Sequence, residues 1–241
     1  MEERSDEILT AVNDGLVIAE KRDGLRFGTD ALLLAAFIRR QKNRRAAELG
    51  SGTGIISLLC AKREKFAHIR AYEIQQAYAS LTARNAERNR LADRVEAVCA
   101  DVRGERGEYD AVFSNPPYMK AGAGDESDDA GRQAARHTEN GDIDDFCAAA
   151  ARMLRFGGLF YVVYRPDRLV DLLCALRAHT LEPKRMRFVM ADEDHAPSLV
   201  LIEAKKGASP SLVLPRPFYL KRNGEESAEM RAVLESGDMC D

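Results

Sequence analysis

No apolar run in the 241 residues is long: the longest, Ala31 to Ile38, falls far short of the roughly 20 residues a membrane-spanning helix needs. The opening stretch, MEERSDEILT, lacks the basic-then-apolar layout of a secretory leader, so a cytoplasmic location is the expectation. Five cysteines stand singly at Cys60, Cys99, Cys147, Cys174 and Cys240, without CxxC or CxH spacing. That speaks against a disulfide framework or a zinc site, and no metal is indicated. Cys60, Cys147 and Cys174 fall in helical apolar patterns and are expected to be core fillers. An excess of basic charge is missing as well, the formal net charge being −3.

That balance is uneven along the chain. Between Asp125 and Asp145 eight acids face only Arg132 and Arg136, and the remainder carries a charge of +3. Basic clusters at Arg39, Arg40, Lys42, Arg44 and Arg45, at Lys184, Arg185 and Arg187, and at Lys205 and Lys206 are of a kind that tracks phosphates. Solvated faces account for each of them equally well. Charge therefore permits a nucleic-acid partner without requiring one.

At 45% hydrophobic and 31% charged, the composition is that of a globular chain with a real core. One domain over 1–241 is expected, with a short N-terminal extension of about 1–44 and no repeat or linker. Strand and helix patterns alternate. A helix over Ala31–Ile38, capped by Thr29 or Asp30, precedes a strand at Ala46–Leu49 and a helix at Ile55–Lys65. Strands at His68–Glu73, Val95–Ala100 and Tyr109–Ser114 follow, with a helix at Gln75–Asn89 after the first of them. Beyond the acidic stretch come a helix at Ile143–Leu154 stopped by Gly157-Gly158, a strand at Leu159–Tyr164 and a helix at Pro166–Ala178. Met186–Met190 and Leu199–Glu203 are close enough to pair as an antiparallel hairpin, before an extended, proline-broken Leu212–Leu220 and a helix at Ser227–Leu234. The pattern predicts a doubly wound α/β fold, a mostly parallel seven-stranded sheet with one reversed strand in a terminal hairpin.

Two motifs carry chemistry. Glu48-Leu49-Gly50-Ser51-Gly52-Thr53-Gly54 sits at the first strand-to-helix turn, where glycines allow positive φ and close approach of a ligand. Its spacing is G-x-G-x-G, not the G-x-G-x-x-G that seats a pyrophosphate. Glu73 ends the second strand, where a carboxylate can hold both ribose hydroxyls, and Asp101 follows the third, where it can accept from an adenine amine. Ile74 and Val102 adjoin them. A ribose-and-adenine site without a pyrophosphate site points to S-adenosylmethionine rather than a nicotinamide dinucleotide.

The second motif is Asn115-Pro116-Pro117-Tyr118, at the end of the strand Tyr109–Ser114. The proline doublet stops the strand and fixes an amide acceptor, a carbonyl and an aromatic face in one place. That set suits a planar molecule bearing an amine. Asn115 Oδ1 and the Pro116 carbonyl would accept its two N–H bonds and favour a pyramidal nitrogen, acting where positive charge develops. Tyr118 would stack on the ring, a contact worth roughly 1–3 kcal/mol. Cytosine-C5 chemistry is excluded, because it needs a Pro-Cys nucleophile and Pro117 precedes tyrosine.

ELGSGTG, Glu73, Asp101 and the Asn-Pro-Pro-Tyr run together resemble a class I S-adenosylmethionine-dependent methyltransferase of the N-methylating branch, with its Rossmann-like fold. The segment Asp23 to Leu34, DGLRFGTDALLL, is similar to the signature of bacterial tRNA (adenine-N6)-methyltransferases that act on the valine tRNA beside its anticodon. The resemblance implies that Gly28, Thr29 and Asp30 lie at the methionine end of the cofactor, with Glu48, Gly50 to Gly54, Glu73, Ile74, Asp101, Val102 and Asn115 completing its site. It implies a tRNA substrate touched by Tyr118, Lys120, Arg136 and His137, and catalysis by Asn115, Pro116, Pro117 and Tyr118. The oligomeric state is left open, a monomer being favoured. The residues alone leave open another amine target, a glutamine amide or guanine in rRNA, and, in a different class, a non-catalytic S-adenosylmethionine- or RNA-binding module. The short stretch before the glycine loop favours the tRNA enzyme over glutamine methylation.

Overall fold

A computed structural model describes residues 5–24, 26–117 and 142–239. An eight-stranded sheet runs through the centre in the order β10-β8-β9-β7-β6-β3-β4-β5. Its middle is parallel: β3 (Arg45–Leu49) lies between β4 (His68–Glu73) and β6 (Tyr109–Ser114), flanked by β5 (Val95–Cys99) and β7 (Leu154–Tyr164). β9 (Pro197–Lys206) is the reversed strand, antiparallel both to β7 and to β8 (Leu181–Met190). The expected hairpin is present and longer at both ends. The eighth strand, β10 (Phe218–Tyr219), was not anticipated; it is a two-residue parallel edge between Pro217 and a turn.

Side chains alternate across the sheet, so each strand feeds two cores. Ala111, Phe113, Tyr161 and Val163 enter the core beneath α1 (Thr29–Phe37), α2 (Ile55–Lys62) and α6 (Ala228–Ser236). Val112, Phe160, Val162 and Tyr164 enter the other, beneath α4 (Ile143–Met153) and α5 (Leu169–Ala178). Coverage on both faces is what near-continuous apolar parallel strands require. Cys60 and Cys147 are buried as expected, but Cys174 lies on the exposed side of α5.

Gly157 and Gly158 do not stop a helix. α4 has ended at Met153, and both glycines lie inside β7, where the pairing with β6 shifts between Tyr109 and Ala111. A Cβ on Gly158 would stand 2.9 Å from Leu154 Cδ2 and 3.1 Å from the Asp110 carbonyl oxygen. The N-terminal extension holds an antiparallel hairpin, β1 (Glu7–Val12) and β2 (Leu16–Lys21), separate from the main sheet. Two asparagines one turn apart on α3 (Gln76–Arg88) and just past its end hold β2 as a neighbouring strand would. Asn85 Oδ1 and Nδ2 pair with the N–H and C=O of Ala19, and Asn89 does the same with Val17.

Candidate active site

The C-terminal ends of β3, β4 and β6 meet at one edge of the sheet. Register pairs Leu49 with Tyr72 on one side and Ser114 on the other. The Ser114 hydroxyl donates to the Leu49 carbonyl at 2.8 Å, which seats Asn115 directly beside the start of the glycine loop. Gly50, Gly52 and Gly54 have φ of +72°, +55° and +81°, a left-handed path that explains the alternation of glycine. A Cβ on Gly52 would meet nothing within 4 Å, whereas one on Gly54 would stand 2.7 Å from Thr82 Cγ2. One glycine therefore leaves open space and the other permits packing against α3.

Several groups hold the loop's shape. Thr82 Oγ1 donates to the Gly52 carbonyl, and Asn85 Nδ2 to the Thr53 carbonyl, both at 2.9 Å. The Ser51 hydroxyl lies 3.4 Å from that of Thr82. Glu73 receives the Gly52 N–H on Oε2 at 3.0 Å and the Gln75 N–H on Oε1 at 2.9 Å. Each oxygen keeps a second lone pair, since a carboxylate offers about four acceptor sites. Next to it Ile74, an apolar side chain, is exposed to 38%.

Glu48 is buried at the base of the loop, where it accepts from the N–H and the hydroxyl of Ser57. Removal from water outweighs these bonds and pushes its carboxyl up to about 8, with the nearby Glu73 charge adding to the rise. Asp101 is engaged by its neighbour Arg103: Nε donates to Oδ1 at 3.0 Å and Nη2 to Oδ2 at 2.7 Å, and these hydrogen bonds hold its carboxyl below the usual range. Val102 is buried, and Arg152 Nη2 donates to its carbonyl at 3.0 Å, fixing this turn beside Glu73.

The segment before β3 closes the site from the other side. Gly28, not Thr29 or Asp30, is the N-cap of α1, and no side chain caps the helix. Thr29 is exposed. Asp30 instead turns across the site: Oδ1 accepts from the Ala31 N–H and Oδ2 from Asn115 Nδ2, both at 2.9 Å. Behind Asn115 the chain is fixed by buried Pro116 and exposed Pro117. Tyr118, Lys120, Arg136 and His137 lie outside the described residues.

Not foreseen from the sequence were Thr82 and Asn85, the α3 residues that clamp the loop, and Glu20, a buried acid that accepts from the Phe27 N–H at 3.1 Å and so steers the chain into Gly28. Helix positions 82 and 85 carry polar residues where the α3 pattern turns inward, and that was the available signal. The basic clusters do not reach this edge. Arg39 pairs with Glu203 on β9, three strands from β3, whereas Arg40 and Lys42 pair with Glu64, and Arg44 with Asp110, around the opposite end of β3. Arg185 and Arg187 are buried, Lys184 donates to Ser209 and Ser211, and Lys206 caps the last carbonyls of α4. No group of three His, Cys, Asp or Glu residues is placed to hold a metal, and no helix is long and apolar enough to cross a membrane, among the described residues.

A family model for the methyltransferase small domain matches residues 21–177. The chain is 30% identical over 214 residues to a Bacteroides fragilis protein named tRNA1(Val) (adenine(37)-N6)-methyltransferase, a match covering 87% of this chain and 84% of that one. Among solved structures, an Agrobacterium tumefaciens protein titled a predicted O-methyltransferase superposes with a TM-score of 0.71 at 21% identity, covering 88% of this chain and 98% of its own. TYW2 of M. jannaschii in complex with AdoMet gives a TM-score of 0.60 at 15% identity, covering 85% and 88%. At those identities the two structures speak for the fold.

Proposed function

The chain belongs to the methyltransferase small domain family, and on that premise we propose that it transfers a methyl group from S-adenosylmethionine to the exocyclic amine of an adenosine in tRNA. The whole chain acts as one unit, N-terminal hairpin included. The observation that carries this reading is Asn115 beside the glycine loop, one strand over and locked there by Ser114. An amine acceptor and a cofactor cradle share one edge of the sheet.

The residues fit the cofactor. Open space in front of Gly52, the spare lone pairs of Glu73 and the exposed Ile74 suit a ribose and a flat purine. Asp101, whose two oxygens already accept from the backbone N–H, Nε and Nη2 of Arg103, would share or exchange one of these bonds to accept from the purine amine. Buried Glu48, protonated in the free protein, would ionise beside the cationic methionine end, with Gly28 and Thr29 alongside. When bound, S-adenosylmethionine supplies an electrophilic sulfonium methyl.

Asn115 Oδ1 and the Pro116 carbonyl then accept the two N–H bonds of the adenine amine, so its lone pair points toward the cofactor cradle. Both oxygens face the nitrogen as it gains positive charge, which is where fixed acceptors lower a barrier. No strong base is required, because the amine proton leaves after transfer. Holding the two reactants in line supplies most of the acceleration. The base must leave its stack to enter, which is cheapest in a single-stranded loop. An anticodon loop meets that condition, and adenine-37 of the valine tRNA is the target named for the B. fragilis relative.

The deciding assay incubates the enzyme with S-adenosylmethionine and either total tRNA or a peptide-release factor, followed by mass spectrometry of nucleosides and peptides. N6-methyladenosine in the tRNA is expected. Methylation confined to a glutamine amide overturns the proposal.

A further inference from the structure

We propose that Asp30 is a positioning residue that sets which way the Asn115 amide faces and strengthens its oxygen as an acceptor. This inference rests on the reading of Asn115 as the amine's partner. A primary amide has two ends of similar shape and opposite chemistry: the oxygen accepts, the nitrogen donates. Turned the wrong way, Asn115 would present N–H to the N–H bonds of the incoming amine. The two prolines that follow fix the backbone but not this flip.

Asp30 removes the ambiguity. An ionised carboxylate can only accept, so the end of Asn115 that lies 2.9 Å from Asp30 Oδ2 must be the nitrogen. The planar amide then points Oδ1 away from α1. Hydrogen bonds to an ionised partner are roughly twice as strong as neutral ones, and the pair is partly buried, where the effect of charge grows. The negative charge also draws the amide toward its O⁻–C=N⁺ form, placing more electron density on Oδ1.

Two further observations show the segment built around this carboxylate. The Ala31 N–H holds Oδ1 at 2.9 Å at the first turn of α1, where the helix dipole favours an anion. Gly28 has ordinary extended backbone, φ −112° and ψ −176°, so no conformational need explains a glycine there. Its lack of a side chain does, because a Cβ would stand 2.7 Å from Asp30 Oδ1 and push the carboxylate off its position. Gly28 makes room for Asp30, and Asp30 aims Asn115.

Asp30→Ala is expected to lower kcat about 10- to 100-fold, while affinity for S-adenosylhomocysteine, measured by calorimetry, stays within about threefold. Asp30→Asn, which keeps an acceptor without the charge, falls between it and the wild type. Gly28→Ala lowers kcat in the same sense. In an Asn115→Ala background, Asp30→Ala produces no additional loss. The side-chain amide resonance of Asn115, assigned by its disappearance in Asn115→Ala, moves in Asp30→Ala and returns part of the way in Asp30→Asn. Circular dichroism checks that each variant folds. The inference is overturned by an unmoved amide resonance, by additive losses in the double variant, or by S-adenosylhomocysteine affinity falling in step with kcat/KM. A wild type that methylates some other amine while the resonance behaves as expected overturns the substrate and leaves the Asp30–Asn115 coupling standing.

Discussion

On the proposed function Asn115 meets the reacting amine and Glu48 the cofactor, and each makes a distinct prediction. Asn115→Ala removes one acceptor from the nitrogen and should cost about 10²- to 10³-fold in kcat, the range for one preorganised polar group. Binding of S-adenosylhomocysteine should persist; a turnover close to wild type would remove Asn115 from the mechanism. Glu48, with its carboxyl at about 8, is protonated in the free protein at neutral pH. A cationic ligand favours the ionised form, so cofactor binding should release a proton and tighten as pH rises toward 8, then level off. Calorimetry in buffers of different ionisation enthalpy measures that proton directly, and Glu48→Gln should abolish it. For the unliganded fold the sign is reversed. A folded-state pKa above the unfolded value contributes stability that is complete below about 4.5 and lost as pH climbs through 8. The sequence shows both residues as members of motifs. It hides the burial that perturbs Glu48 and the contact between Asp30 and Asn115, 85 positions apart, because both arise from chain segments meeting only in the fold.

α3 does more than cover the sheet. Asn85 on its buried face satisfies the N–H and C=O of Ala19 and the C=O of Thr53 at once, joining the N-terminal hairpin to the glycine loop. Asn85→Ala would leave three buried backbone groups unpaired, at about 1–3 kcal/mol each. We expect a loss of several kcal/mol in thermal unfolding, together with faster amide exchange across Leu16–Lys21 and weaker S-adenosylhomocysteine binding. Unchanged exchange in β2 would show that the hairpin is held by other means. The alternation of strand and helix from β3 to α5 was legible because periods of 2 and 3.6 are distinct there. The N-terminal hairpin leaves only one mark in the sequence, the turn signal Asn13-Asp14-Gly15 between two apolar runs. Gly157-Gly158 misled because a glycine pair after a helix reads as a stop, whereas here it lets β7 bulge beside Asp110.

Charge is distributed so that Arg40, Lys42 and Arg44 lie around the starts of the parallel strands and Arg185 and Arg187 inside the core. Each phosphate contact contributes close to one unit to the slope of log affinity against log salt. Replacing Arg40, Lys42 and Arg44 together with alanine should therefore leave that slope for tRNA binding unchanged; a drop of about two or more would put RNA on this end of the sheet. Linear sequence records which residues are charged and not which end of a strand they mark, and for that reason the clusters were ambiguous until the register was known. The Asn85–Asn89 clasp on β2 also bears on how the chain is made. The hairpin leaves the ribosome before its partners on the main body, which follow at 66 and 72 positions' separation. Until then Val17 and Ala19 carry unmatched strand-edge groups that could pair with another nascent chain. The hairpin thus settles only after a later segment has been made, and its protection during translation depends on how soon α3 emerges.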